Sequence, residues 1–219
     1  MSDRFDLVVF DWDGTLMDST GAIAGAIRAA SRDLGLPVPS EERARHVIGL
    51  GLQEALAYAV PELESEAYPK LLEAYRRRYL AGDHELLLFP GAFEMVEGLA
   101  GAGRLLGVAT GKSRQGLDRA LAASGLGGFF HSTRCVDECF SKPHPQMLEE
   151  LMDELGVGPE RTLMVGDTTH DLLMARNAGV QSLAVSFGAH PAAALHELQP
   201  LAVLDSPAEL AQWLRGGPA

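Results

Sequence analysis

Residues 5–15 read Phe5-Asp6-Leu7-Val8-Val9-Phe10-Asp11-Trp12-Asp13-Gly14-Thr15, an apolar run that stops at two carboxylates one residue apart and then a glycine. Leu7 to Phe10 offer no polar face, which suits a strand covered on both sides, as in parallel sheets sandwiched between helices. In open sheets of that kind, ligands collect outside the carboxyl ends of the strands. Asp11 and Asp13 stand at such an end. Two like charges so close need a cation or a shared proton, so the pair points to a metal-dependent centre, with a simple Asp-x-Asp-Gly turn as the competing explanation.

Further short apolar runs occur at Leu105 to Ala109, Thr162 to Val165 and Ser182 to Val185, with a weaker one at Ala202 to Leu204. Helical segments lie between them. Ser113 can cap a helix carrying Leu117 and Leu121 and ending near Gly125, and Pro145 can begin one carrying Leu148, Leu151, Met152 and Leu155 before Gly156. Strands alternating with helices predict an α/β fold with a doubly wound, mainly parallel sheet. The stretch from Asp13 to Arg104 is far too long for one crossover, so something is inserted there. Ile23, Ile27, Ala30 and Leu34 recur at helical spacing after Ser19 or Thr20 as cap, with Gly35 as the stop. Leu71, Leu72, Tyr75 and Tyr79 form a second stripe, and shorter helices fit Glu41 to Val47 and Leu52 to Ala59, joined by Gly49-Leu50-Gly51. The spacing thus predicts a small helical domain over residues 16–84, inserted into a core made of residues 1–15 and 85–219.

A net charge of −12 argues against a nucleic-acid or anionic-membrane surface, because both depend on clustered Lys and Arg. No apolar run approaches membrane-spanning length and no basic, apolar leader opens the sequence, so the cytoplasm is the expected location. Cys135 and Cys139 lack a second pair and suit neither a zinc site nor a redox couple. A monomer and a homodimer both stay open.

Three more segments place polar residues at the strand edge that carries Asp11. Val108-Ala109-Thr110-Gly111-Lys112-Ser113 puts a hydroxyl and backbone amides where a helix begins, which suits an anion or mere helix capping. Ser141-Lys142-Pro143-His144-Pro145 supplies a cation just before a helix. Lys112 and Lys142 are two of only three lysines among 18 basic residues, and a scattered solvated surface would not place both here. Lys70, the third, fits a solvated helix face. Leu163-Met164-Val165-Gly166-Asp167-Thr168-Thr169-His170-Asp171 repeats the opening pattern of strand, acid and helix. Asp171 also fits a capping box with Thr168, whereas Asp167 stands where no cap is yet needed. His144 and His170 flank these segments without metal-ligand spacing, which suggests capping or surface positions. Trp12 suggests packing between strand and insert, and Arg114 faces either an anion or solvent. Gly188, Ala189 and His190 follow the Ser182 strand, near the same rim.

Asp11-Trp-Asp-Gly-Thr, Thr110, Lys142 with Pro143, and Gly166-Asp167-x3-Asp171 match in order and spacing the four motifs of the haloacid dehalogenase superfamily, over the whole chain. The insert resembles the small helical cap of the subgroup containing phosphoglycolate phosphatases and β-phosphoglucomutases. That resemblance implies a Rossmann-like core, Asp11 as a nucleophile forming an aspartyl-phosphate, and Asp13 as general acid and base. It implies Mg²⁺ held by the side chains of Asp11 and Asp167 and the carbonyl of Asp13. Thr110, Gly111, Lys112 and Gly14 would contact the substrate, Lys142 would neutralise the phosphoryl group and restrain Asp11, and Asp171 would orient Lys142 or a metal-bound water. Dehalogenases of the superfamily lack the acid at position 13, so Asp13 favours phosphoryl chemistry. The expected activity is Mg²⁺-dependent hydrolysis of a small phosphorylated metabolite, with 2-phosphoglycolate as leading candidate and a sugar-phosphate mutase as alternative. A receiver-type signalling module combines similar residues but needs neither the insert nor the first-strand Asp-x-Asp. The Gly49-Leu50-Gly51-Leu52 loop resembles the phosphoglycolate phosphatase-like group. Gly111 departs from it, since an asparagine commonly stands at that position.

Overall fold

The computed structural model describes residues 4–61, 63–64, 66–82 and 87–216. The expected end of the insert at residues 84–85 lies outside them. Six strands form one parallel sheet: β1 (Leu7–Phe10), β2 (Leu105–Thr110), β3 (Ser132–Cys135), β4 (Thr162–Gly166), β5 (Gln181–Val185) and β6 (Val203–Leu204). Their spatial order is β3-β2-β1-β4-β5-β6. The chain order therefore reverses at β1, with β2 on one side and β4 on the other, and ligands of doubly wound sheets bind at such a switch point. Phe10 lies level with both Val108 and Val165, so the residues that follow all three strands emerge at one edge.

The apolar run of β1 is explained by helices on both faces. Val8 and Phe10 join a cluster with Val96 and Leu99 of α5 (Ala92–Gly101) and Leu210 and Trp213 of α10 (Pro207–Leu214). Leu7 and Val9 point the other way, onto Leu148 and Leu151 of α7 (Gln146–Leu155) and Met174 of α8 (Thr169–Asn177). Every side chain of β1 is buried, and only a sheet covered twice has no polar face to offer. Between β2 and β3 runs α6 (Arg114–Ser124), capped by Ser113, whose hydroxyl accepts the Gly116 amide, and closed by Gly125 in the left-handed conformation at φ +72°. A short α9 (Ala192–Glu197) follows β5.

Four helices fill the insert: α1 (Thr20–Asp33), α2 (Glu41–His46), α3 (Leu52–Ala59) and α4 (Tyr68–Gly82). They enclose an apolar cluster of their own, with Ile27, Leu56, Leu71 and Tyr75 at its centre. The chain enters and leaves this helical unit along an antiparallel pair, where Asp18 N–H donates to Leu87 O and Phe89 N–H donates to Leu16 O, each at 2.9 Å.

Several local expectations are corrected. Ser19 precedes α1, yet its side chain does not cap the helix; it turns to a carboxylate described below. Trp12 packs in the sheet's own core, edge-on to Phe130 at 6.3 Å, and not between strand and insert. β3 carries no apolar run: Arg134 pairs with Glu150 and Glu154 of α7 and covers this edge strand with charge.

Candidate active site

Asp11 directly follows β1, and its amide donates to Val165 O of β4 at 2.9 Å, which seats it at the switch point. Its carboxylate is buried. Lys142 Nζ lies 2.8 Å from Asp11 Oδ1 and 2.6 Å from Asp171 Oδ1, so one fully enclosed ammonium bridges two carboxylates. Beyond that ion pair neither oxygen of Asp11 has a hydrogen-bond partner among the described residues. A buried carboxylate offers about four lone-pair sites, so most of its capacity is open.

Asp171 is fixed from its other side. Its Oδ2 accepts from the Thr168 amide at 3.1 Å and the Thr168 hydroxyl at 2.7 Å, and the Thr168 hydroxyl in turn accepts the Asp171 amide. The capping box expected here exists, and it aims Oδ1 at Lys142. Asp167 follows β4. Thr15 donates to its Oδ1 at 3.0 Å and the Ala189 amide to its Oδ2 at 2.7 Å. Gly14, at φ +83°, and Gly188 crowd this carboxylate: a Cβ on either would lie 2.2 Å from Asp167 Oδ2.

Asp11, Asp167 and Asp171 each place a carboxylate oxygen within 4.8 Å of the others. Three buried carboxylates share one lysine here, an excess of acid that protons or a cation must balance. Burial, opposed by Lys142, raises Asp11 to about 7, and burial with the charges of Asp11 and Asp171 raises Asp167. Burial also works against the Lys142 ammonium, but Asp11 and Asp171 outweigh it and hold its pKa above the ordinary lysine value. Hard oxygen donors gathered this closely, with the unbonded oxygens of Asp11 among them, fit a divalent cation.

Asp13 is engaged by a different set of partners. Its Oδ1 accepts from the Ser19 hydroxyl at 2.6 Å and pairs with Lys112 Nζ at 3.0 Å. Lys112 also donates to Tyr79 Oη of α4 at 2.9 Å and sits 5.0 Å above that ring. Thr110 ends β2, buried, and its hydroxyl accepts the Lys112 amide at 3.1 Å.

The helical unit closes directly over this edge. Gly51 N–H donates to Ser141 Oγ at 2.9 Å, and the loop at Gly49 and Leu50 rests on Gly111, where a Cβ would meet both carbonyl oxygens at 2.6 Å. Position 111 therefore has no room for a side chain. His170 and His190 converge on His46 O of α2, with Nε2 at 2.9 and 3.0 Å, and the His46 and His190 rings stack at 4.9 Å. His170 is thus a buried contact between the helical unit and the core, neither cap nor surface residue as expected. His144 does what its position suggested, accepting the Gln146 amide through Nδ1. Arg114 faces Glu138, Thr133 and Asp118, neither an anion site nor bare solvent.

Sequence reasoning brought Asp11, Thr110, Lys142, Asp167 and Asp171 to one edge, and the structure places them there. It missed Thr15, Ser19 and Tyr79. Thr15 and Ser19 carried a readable signal, as hydroxyls within a few residues of the first motif. Tyr79 carried none, because only the docking of α4 brings it in.

The haloacid dehalogenase-like hydrolase model matches residues 8–185, from β1 through β5. The chain belongs to this family. The "Probable phosphatase IndB" of Dickeya dadantii (strain 3937) is 37% identical over 209 residues, covering 93% of this chain and 91% of that protein. A phosphoglycolate phosphatase of Vibrio vulnificus (strain YJ016) is 32% identical over 213 residues, covering 93% of each. Among solved structures, a predicted phosphoglycolate phosphatase from Haemophilus somnus 129PT superposes with a TM-score of 0.84 at 26% identity, covering 97% of each chain. Among the described residues no helix is long and apolar enough to cross a membrane.

Proposed function

We propose that this haloacid dehalogenase-like phosphatase is Mg²⁺-dependent and hydrolyses a small phosphomonoester through an aspartyl-phosphate on Asp11, with 2-phosphoglycolate as the substrate. The observation that carries the mechanism is the state of Asp11: buried, paired with Lys142, and with no hydrogen-bond partner on either oxygen among the described residues. A carboxylate in a water-poor pocket with unengaged lone pairs is a competent nucleophile toward phosphorus. Asp11, Asp167 and the Asp13 carbonyl would hold Mg²⁺, with Asp171 within reach of the same cluster. Bound there, the ion would neutralise the phosphoryl oxygens as charge develops on them.

The chain's own groups divide the remaining work. Lys142, pinned by Asp171, neutralises and orients Asp11. Asp13, two residues on and held by Ser19, protonates the departing alcohol and later takes the proton of the water that hydrolyses the aspartyl-phosphate. Thr110 and the amides after β2 contact the phosphoryl oxygens. Residues 16–84 act as a cap that closes over the edge and excludes bulk water. The relatives' names support a phosphoglycolate-type substrate.

The test is phosphate release from a panel of metabolite esters with and without Mg²⁺. Release from 2-phosphoglycolate is expected, lost on chelation and abolished in Asp11→Asn with the fold retained by circular dichroism. Turnover indifferent to chelation would overturn the mechanism.

A further inference from the structure

Two lysines reach this edge, and they are placed differently. Lys142 has no exposed side-chain surface and is locked between Asp11 and Asp171. Lys112 is 11% exposed and spans the junction of core and cap, from Asp13 Oδ1 at 3.0 Å to Tyr79 Oη at 2.9 Å. Its charge therefore sits beside Asp13, the proton carrier of the proposed reaction. We propose that Lys112, seated on Tyr79, is a specificity-determining residue that selects phosphomonoesters whose ester carbon bears a carboxylate.

The geometry limits the choice. An ester oxygen protonated by Asp13 must come within about 3 Å of that carboxylate. A carboxylate bonded to the ester carbon then places an oxygen three bonds from the ester oxygen, about 3 Å further on. That reach matches the separation of Lys112 Nζ from Asp13. An anion several carbons away, as on the far end of a sugar, falls outside it. The ammonium moves little to exchange its contact with Asp13 for the substrate's anion, because a lysine stem has several rotatable bonds. Tyr79 supplies a second polar group at the same place and belongs to the cap, so the selected anion would also bridge the two parts of the enzyme.

This inference rests on the phosphatase reading, and the experiment separates the two. Steady-state rates are measured for 2-phosphoglycolate and for 2-hydroxyethyl phosphate, which has the same skeleton with CH2OH in place of the carboxylate. Wild-type enzyme is expected to prefer the former. The preference, as a ratio of kcat/KM, should fall about 10- to 100-fold in Lys112→Gln, the worth of a charge-assisted hydrogen bond. It should survive in Lys112→Arg and fall by a smaller factor in Tyr79→Phe. An unchanged ratio in a folded Lys112→Gln, or a wild-type enzyme indifferent to the carboxylate, overturns the assignment. Should Lys112→Gln not fold, an unchanged ratio in Tyr79→Phe counts against it. Failure of wild-type enzyme to hydrolyse either ester or p-nitrophenyl phosphate would instead sink the phosphatase reading itself.

Discussion

Gly111→Ala isolates the contact between cap and core. The added Cβ would lie 2.6 Å from Gly49 O and Leu50 O and 2.8 Å from Gly49 C, about 0.7 Å inside the closest ordinary C···O approach of about 3.3 Å. All three atoms are backbone, so no rotamer change relieves the overlap. Nor can the loop slide easily, because a Gly51 Cβ position already lies 2.8 Å from Val136 and the Gly51 amide is bonded to Ser141. The cap must lift. Gly111 itself has no positive φ, so alanine adds no backbone strain and the cost falls on closure. Overpacking of this kind costs about 1–3 kcal/mol, which lowers kcat/KM about 5- to 150-fold if closure precedes chemistry. Initial rates on 2-phosphoglycolate measure the loss. Hydrogen exchange at the Gly51 amide should accelerate in parallel, with the thermal transition of the sheet little changed. Gly111→Ala at wild-type kcat/KM and wild-type Gly51 protection would refute the argument.

Asp171→Ala removes one carboxylate from the buried Lys142 bridge and breaks the capping box of α8, so stability should fall by about 3–5 kcal/mol, seen as a Tm lower by roughly 6–20 °C. A Tm within 2 °C of wild type, by about the same scaling, would show the bridge to be dispensable. Gly188→Ala would press a Cβ into Asp167 Oδ2, and Mg²⁺-dependent turnover should drop at least about tenfold while the fold persists. Retained turnover would separate Gly188 from the site. Burial holds His190 down at about 4 and also lowers His170, so in this range the unfolded chain binds more protons than the native one. Their contribution is complete above about pH 6.5 and is lost as pH falls toward 4. Tm measured across that window should decline less steeply in His190→Gln; parallel profiles would dismiss the effect.

Much of the catalytic edge was legible because its logic is local. Asp11 and Asp167 end short apolar runs that suit twice-covered strands, and Gly125, Gly156 and the Thr168–Asp171 pair punctuate helices by local preference. β3 was illegible for the opposite reason. Ser132–Cys135 has only part of its surface buried, and what makes it a strand is pairing with β2 and the ion pairs of Arg134.

Local sequence was enough to show where the apolar strands β1, β2, β4 and β5 end and which acids, hydroxyls and lysines stand there, since turn chemistry depends on neighbours a few residues away. Their partners came from the packing of distant segments. Lys142 bridges Asp11 to Asp171, and Lys112 turns to Asp13 and Tyr79. The absence of a side chain at position 111, which in the sequence is only a departure from a motif, becomes the floor on which Gly49 and Leu50 rest. Such pairings join segments tens of residues apart through distances of a few ångströms, and no local preference encodes a distance of that kind.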